Sequence, residues 1–341
     1  MRLAIFLLFT LTMFAANKYS VSRGVTDGIE TVTLRDEVRH HEVKIVPSLG
    51  NNSYSYQVNG QEVFWSPYKT LAEFQAKPAN LGNPFLAPWA NRIDGLTYYA
   101  NGKKYRLNPD LGSFRQDGFK QPIHGMLMYT PWKVVRAEAN DSAAWVTSRL
   151  EFWREPAWMA QFPFAHNLEM TYRLSNGELE VITTVENLSN QPMPLSLGYH
   201  PYFQVHDAPR DAWQVHLPVK SKVLLSATLV PTGETQPATI AEPLSLSGIA
   251  LDDVYTSLTP DSSGRTEFWV RGKQQQVSVI YGPNYPVAVV YAPPGRSFIC
   301  FEPMTGVTNA FNLAQQGKFP LQSVPAGGSW RESYWIRPQG F

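Results

Sequence analysis

The chain of 341 residues is long enough for two domains of ordinary size or for one large β domain. Its 29 Lys and Arg balance 28 Asp and Glu to leave +1, so the basic excess expected of a nucleic-acid reader is missing. Hydrophobic residues at 43%, with 10 Trp, 16 Tyr and 18 Phe, exclude a disordered chain, and one cysteine, Cys300, allows neither an intramolecular disulfide nor a thiolate metal cluster.

At the N-terminus, Arg2 precedes an apolar run from Leu3 to Phe14, followed by Ala15 and Ala16. This resembles a secretory signal over residues 1–20, too short to span a membrane comfortably, and predicts a periplasmic or secreted protein, with an uncleaved anchor as the alternative. No second apolar run is long enough to span a bilayer. The 27 Pro and 23 Gly are spread without a period, which favours many short strands joined by turns. His40 and His41 stand among Arg39, Glu42 and Lys44 and read as surface residues. The sequons at Asn51, Asn140 and Asn187 read as chance occurrences. Thr70 to Lys77 predicts a short helix with Thr70 as cap and Glu73 at the third position. In Asn91-Arg92-Ile93 a guanidinium follows Pro88-Trp89-Ala90; it offers a fixed fork to sugar or carboxylate oxygens, with a surface ion pair as the bland reading. Lys103, Lys104, Arg106, Arg115 and Lys120 form a basic stretch suited to a phosphate or to solvent.

Ile123-His124-Gly125 and Gly198-Tyr199-His200-Pro201-Tyr202-Phe203 each hold a histidine in a turn of little freedom, as a proton donor or ligand requires; a buried structural histidine is the alternative for both. Leu179, Val181, Thr183 and Val185 alternate with Glu180, Thr184 and Glu186 in the pattern of a half-buried strand. Further strands are expected over Trp213–Leu217, Thr266–Arg271, Val277–Tyr281 and Val287–Tyr291. Asp252 and Asp253 form an acidic pair that either binds a ligand or caps a turn. Glu302 lies in a near-continuous apolar run, where desolvation would raise its pKa and make it a better general base, or where it would accept loop amides. Cys300 beside it reads as a small buried hydrophobe. A last helical turn is expected near Asn309 to Gln316. There is no phosphate-binding glycine loop followed by Lys, no His-Glu-x-x-His, no nucleophile elbow, and no local spacing that preforms a metal site. With no linker or repeat, a single antiparallel β domain over residues 21–341 is expected.

Five pieces recur in a set order: Asn91-Arg92-Ile93, His124-Gly125 with Trp132 after it, His200-Pro201-Tyr202-Phe203, Leu251-Asp252-Asp253-Val254-Tyr255, and Phe301-Glu302-Pro303. That order resembles the aldose 1-epimerase (galactose mutarotase) family over about residues 30 to 340. The resemblance implies an all-β fold, a large antiparallel sandwich of the galactose mutarotase-like supersandwich type with few short helices. It implies an isomerase without cofactor or metal that interconverts the α and β anomers of a free aldose of glucose or galactose type. Glu302 matches the general base that takes the anomeric hydroxyl proton, and His200 the general acid that protonates the ring oxygen, the two on opposite sides of the hemiacetal. Arg92, His124 and Asp252 match residues that hold the sugar; Asp252 is preferred to Asp253 because it precedes Tyr255 by three positions, as the family's aspartate precedes its aromatic residue. Trp89, Trp132, Tyr202 and Phe203 are candidate apolar faces for the ring or core residues. The run Gly125-Met126-Leu127-Met128-Tyr129 departs from the family's glycines, which implies a reshaped pocket floor near His124. A hexose-6-phosphate 1-epimerase of the same fold and a non-catalytic carbohydrate-binding protein are the competing readings; an exported protein argues against the first, retention of both Glu302 and His200 against the second. The expected partner is a small sugar, with no nucleic acid and no signal of oligomeric state.

Overall fold

A computed structural model describes residues 18–341, and the leader-like stretch of residues 1–17 lies outside them. The hairpins follow from local chemistry. His166–Ser175 and Glu178–Asn187 pair antiparallel through Asn176-Gly177, both at positive φ (53° and 74°), the conformation whose twist matches that of the flanking strands. Asp27-Gly28, Asn59-Gly60 and Asn101-Gly102 repeat the device between neighbouring strands.

Three sheets carry the architecture. Tyr19–Thr26, Ile29–Asp36, His41–Val46, Asn52–Val58 and Gln61–Glu62 form a five-stranded meander. A nine-stranded sheet runs from Lys133–Ala139 through the pair just described to Ser329–Gln339, Gln276–Tyr281, Thr266–Arg271, Gln214–His216 and Leu244–Ser245. An eight-stranded sheet contains Val219–Leu225, Leu251–Leu258, Val287–Ala292, Ile299–Met304 and the short strands Gly198–Tyr199, Tyr202–Phe203 and Phe85–Leu86. All pairing within these three sheets is antiparallel, as expected.

One buried cluster reaches from Tyr19 to Ile336 and fills the space between the large sheets. Phe301 of the eight-stranded sheet meets Phe203 and Phe268 at ring separations of 6.3 and 6.0 Å, and Tyr199 meets Tyr334 at 4.8 Å. Because strand side chains alternate, the residues flanking Phe301 point to the opposite face. That face, which carries Glu302, is backed by a second cluster of Leu86, Ala90, Val254, Val289, Met304 and their neighbours.

Helix is confined to short pieces. Leu71–Ala76 starts as the sequence predicts: the Thr70 side chain accepts from the Glu73 N–H at 3.2 Å, while the Glu73 carboxylate accepts from the Lys69 N–H at 2.9 Å. Ala310–Gln315 follows Asn309, and Pro156–Gln161, with proline in its first turn, is a helix the sequence reading missed. The four expected strands form within a residue or two of their predicted ends. His41 is a correction: it is buried, with Nδ1 2.9 Å from the Tyr56 hydroxyl, while its neighbour His40 is exposed. Asn51 and Asn187 are fully buried, which agrees with reading their sequons as chance. Among the described residues no helix is long and apolar enough to cross a membrane.

Candidate active site

The register of the eight-stranded sheet assembles one side of the site. Asp252 pairs with Tyr291, Tyr291 with Cys300, and Cys300 with Tyr202, so these four share a row. Glu302 lies two residues beyond Cys300 and therefore on the same face, opposite Val289. His200 sits between the strands Gly198–Tyr199 and Tyr202–Phe203; its N–H donates to the Pro84 carbonyl at 3.0 Å, and that of Tyr202 to Gly82 at 2.8 Å. The flanking backbone contacts hold the histidine over Glu302.

The other side comes from loops. Asn91, His124 and Gly125 have φ of 57°, 62° and 65°. The His124 N–H donates to the Asn91 carbonyl at 2.9 Å, and Arg92 bridges to Ile123. A Cβ on Gly125 would lie 2.0 Å from the Ala87 carbonyl oxygen, so the glycine after the histidine is a steric requirement. Arg92 is positioned by a residue that sequence reasoning missed. Its Nε donates to Asp117 Oδ2 at 2.6 Å and its Nη1 to Asn91 Oδ1 at 3.1 Å, with little of either charged side chain exposed, so this is not a surface ion pair. Burial pushes the Asp117 carboxyl up, but hydrogen bonds from Arg92 and from the backbone N–H groups of Gln121 and Phe119 outweigh it and hold the group below the ordinary aspartate range. The spacing Arg92 to Asp117 carries no local signal.

At the centre, His200 Nε2 is 3.2 Å from Glu302 Oε1, with the two residues only 6% and 1% exposed. The candidate acid and base thus lie in direct contact. The His124 ring meets that of His200 edge-on at 5.4 Å, and Tyr202 stacks on His200 at 4.7 Å. Burial, and then the charge of Asp252, push the Glu302 carboxyl well above its ordinary value, with Arg92 opposing. Burial foremost, with the Arg115 charge adding, lowers His200 to about 3. His124 is lowered well below the ordinary histidine range by burial, then by the charges of His200, Arg115 and Arg92. Both groups of the central pair are thus favoured neutral. His124 Nδ1, His200 Nδ1 and Glu302 Oε2 are buried without a hydrogen-bond partner.

Asp252 and Asp253 separate cleanly. Asp253 bonds Lys222 Nζ at 2.7 Å and accepts from the Tyr255 hydroxyl at 3.1 Å. Asp252, on the site face, has no such partner; although its surface is open, the surrounding walls raise its carboxyl, Arg92 opposing and Asp253 adding. Of the four aromatic candidates only Tyr202 stacks on a site residue; Trp89, Trp132 and Phe203 belong to the main core. The sequence reading missed an aromatic wall beyond Tyr202, where Trp65, Phe298 and Tyr291 pack with it around Cys300. Cys300 is fully buried and its thiol is raised by that burial, as a small hydrophobe's would be. Among the described residues no group of three or more His, Cys, Asp or Glu side chains could hold a metal ion.

The structure thus gathers Glu302, His200, His124, Arg92 and Asp252 around one buried acid–base pair on an antiparallel β-sandwich. Residues 30–337 match the model of the Aldose 1-epimerase family, and the chain belongs to that family. Similar in sequence is YihR of Escherichia coli (strain K12), 23% identical over 241 residues that make up 69% of this chain and 72% of YihR. Similar in fold are a galactose mutarotase-like protein from Clostridium acetobutylicum (TM-score 0.85, 20% identity, 96% of this chain and 100% of that one) and Slr1438 from Synechocystis sp. PCC 6803 (TM-score 0.74, 24% identity, 92% and 97%). The family and the site together define a mutarotase-like carbohydrate epimerase.

Proposed function

We propose that this protein is an aldose mutarotase that interconverts the α and β anomers of a free aldose of the glucose or galactose type by opening and reclosing the ring. The observation that carries the reading is the direct contact of His200 Nε2 with Glu302 Oε1, closed off from water beside three sugar-binding candidates. O1 and O5 of an aldose are bonded to the same carbon, so an acid and a base in contact can reach both from one edge. The substrate's anomeric edge replaces the contact between them. Glu302 takes the proton of O1–H, His200 gives one to O5, the C1–O5 bond breaks and C1=O1 forms. Rotation about C1–C2 and the reverse transfers close the other anomer and restore both groups. The pair needs one proton in total. Burial favours it on Glu302 before the sugar enters, and transfer across the 3.2 Å contact produces the carboxylate and imidazolium that the first step uses. Arg92, His124 and Asp252 orient the ring, which is where positioning lowers the barrier. The leader-like N-terminus supports a site of action outside the cytoplasm, where free sugars are met.

Polarimetry of freshly dissolved α-D-glucose and α-D-galactose tests the reading. The unmodified protein is expected to speed relaxation over buffer. Glu302→Gln is expected to abolish this while sugar affinity stays within about tenfold, ~1.4 kcal/mol. His200→Asn should slow turnover by about two to four orders of magnitude. Unaccelerated relaxation with all three proteins would overturn the reading in favour of a sugar-binding protein, and equal loss of binding and turnover in Glu302→Gln would make Glu302 a ligand.

A further inference from the structure

The row of side chains beside Glu302 and His200 runs further than one sugar ring needs. Register carries it across the eight-stranded sheet from Asp252 through Tyr291 and Cys300 to Tyr202. It continues past the sheet: Phe64 bridges Phe203 antiparallel and the Trp65 N–H donates to the Tyr202 carbonyl at 2.9 Å, which puts Trp65 opposite Tyr202 and on its face. Five strand positions at the ordinary spacing make a row of about 19 Å, far longer than one pyranose is wide.

The chemistry changes along that row. Asp252 offers carboxylate oxygens at one end, whereas towards the other the rings gather around Phe298, whose ring centre is 4.5 Å from that of Trp65 and 5.8 Å from that of Tyr291. Tyr202 and Phe298 are buried, while Trp65 and Tyr291 are partly exposed, so solvent reaches the shelf at both of its flanks. The shelf is also continuous with the acid–base pair: ring centres of Tyr202 and Tyr291 lie 4.7 and 6.2 Å from that of His200, and Trp65 lies 5.8 Å from Tyr202. Flat uncharged rings beside a few polar groups suit the apolar C–H face of a sugar.

We infer that Trp65, Phe298 and Tyr291 hold a second sugar ring, so that the preferred substrate is the reducing end of a neutral disaccharide or longer glycan; this rests on the mutarotase reading for the first ring. The reducing ring lies over Glu302 and His200. Its neighbour, joined through a hydroxyl remote from C1, stacks on Trp65.

Polarimetry of freshly dissolved lactose, maltose and D-glucose gives kcat and KM for each sugar, and calorimetric titration of the Glu302→Gln protein gives affinities without turnover. At least one disaccharide is expected to exceed glucose about tenfold or more in kcat/KM, with the gain in KM, and to bind the Glu302→Gln protein about tenfold more tightly. Trp65→Ala should shrink the disaccharide-to-glucose ratio about fivefold or more, and Trp65→Phe should keep most of it, since a smaller ring still offers a flat face. Melting temperatures check that both variants fold, and the comparison of sugars on the unmodified protein stands whether or not they do. Disaccharide affinity no better than that for glucose, or a preference that survives Trp65→Ala, overturns the inference. Tighter disaccharide binding with no sugar accelerated would uphold the shelf and overturn the mutarotase reading.

Discussion

Asp252 and Asp253 differ in what their neighbours leave them to do. Strand alternation places the first in the row of Tyr291 and Cys300 and the second in that of Val290 and Phe301, where Lys222 and the Tyr255 hydroxyl claim it. Asp252→Asn is expected to raise the KM for sugar about tenfold or more with little change in melting temperature. Asp253→Asn should leave the KM alone and cost under about 1 kcal/mol, the usual worth of a half-exposed ion pair. Steady-state anomerisation kinetics and thermal unfolding of the two variants decide it; a reversed pattern would move the binding role to Asp253. At this scale Glu302 and His200 were legible from an apolar run and a constrained turn. Asp117 was not, because what it does is hold Arg92 across a gap of 25 positions by Oδ2···Nε contact.

Among the elements, the turn at His124-Gly125 is the most demanding. Its φ of 65° at Gly125 and the Ala87 carbonyl 2.0 Å from any Cβ there leave no room for a side chain. Gly125→Ala is therefore expected to cost about 2 kcal/mol or more and to displace His124, lowering sugar affinity as well as the melting temperature. A variant as stable as the parent, measured by denaturant unfolding, would show that the backbone relaxes freely. The elements easiest to read were those with strict alternation, such as Glu178–Asn187, or with a side-chain cap, such as Leu71–Ala76. Pro156–Gln161 escaped because it lacks a side-chain cap and is too short for a helical period to show.

For the molecule as a whole, burial of titratable groups sets the response to acid. His41, His124, His166 and His200 all have lowered pKa values, burial being the largest cause in each, with His166 at about 4 and His200 at about 3. The unfolded chain binds protons at these positions below about pH 6.5 while the folded chain does not, so each contributes a loss of up to ~1.4 kcal/mol per pH unit as pH falls. Glu302, Glu62 and Asp252, raised by burial, work in the opposite sense: the folded state keeps protons that the unfolded chain sheds above about pH 4, so their contribution is full below that value and fades as pH rises. Four histidines against three carboxylates predict falling stability from pH 7 to pH 5. Denaturant unfolding at the two pH values checks the sign; equal stability would mean that some of these histidines are charged in the folded state.

Composition, alternation and turn residues are local properties, and they were enough to determine an all-β chain and the positions of five of its strands; the order of five short motifs was enough to place the family. Where a signal is local the side chain announces its own role, as Thr70 does as a cap and Cys300 as a buried small hydrophobe. His41 shows the limit: its neighbours Arg39, Glu42 and Lys44 are charged, yet the strand it begins turns it inward onto Tyr56. Only the tertiary structure decided that Glu302 and His200 touch, that Asp117 rather than solvent neutralises Arg92, and that Arg115 alone of its basic stretch lines the cleft beside His124. Those contacts are made by sheet register and loop packing between residues from 8 to about 100 positions apart, and distance in space between such segments is not a property that either segment carries.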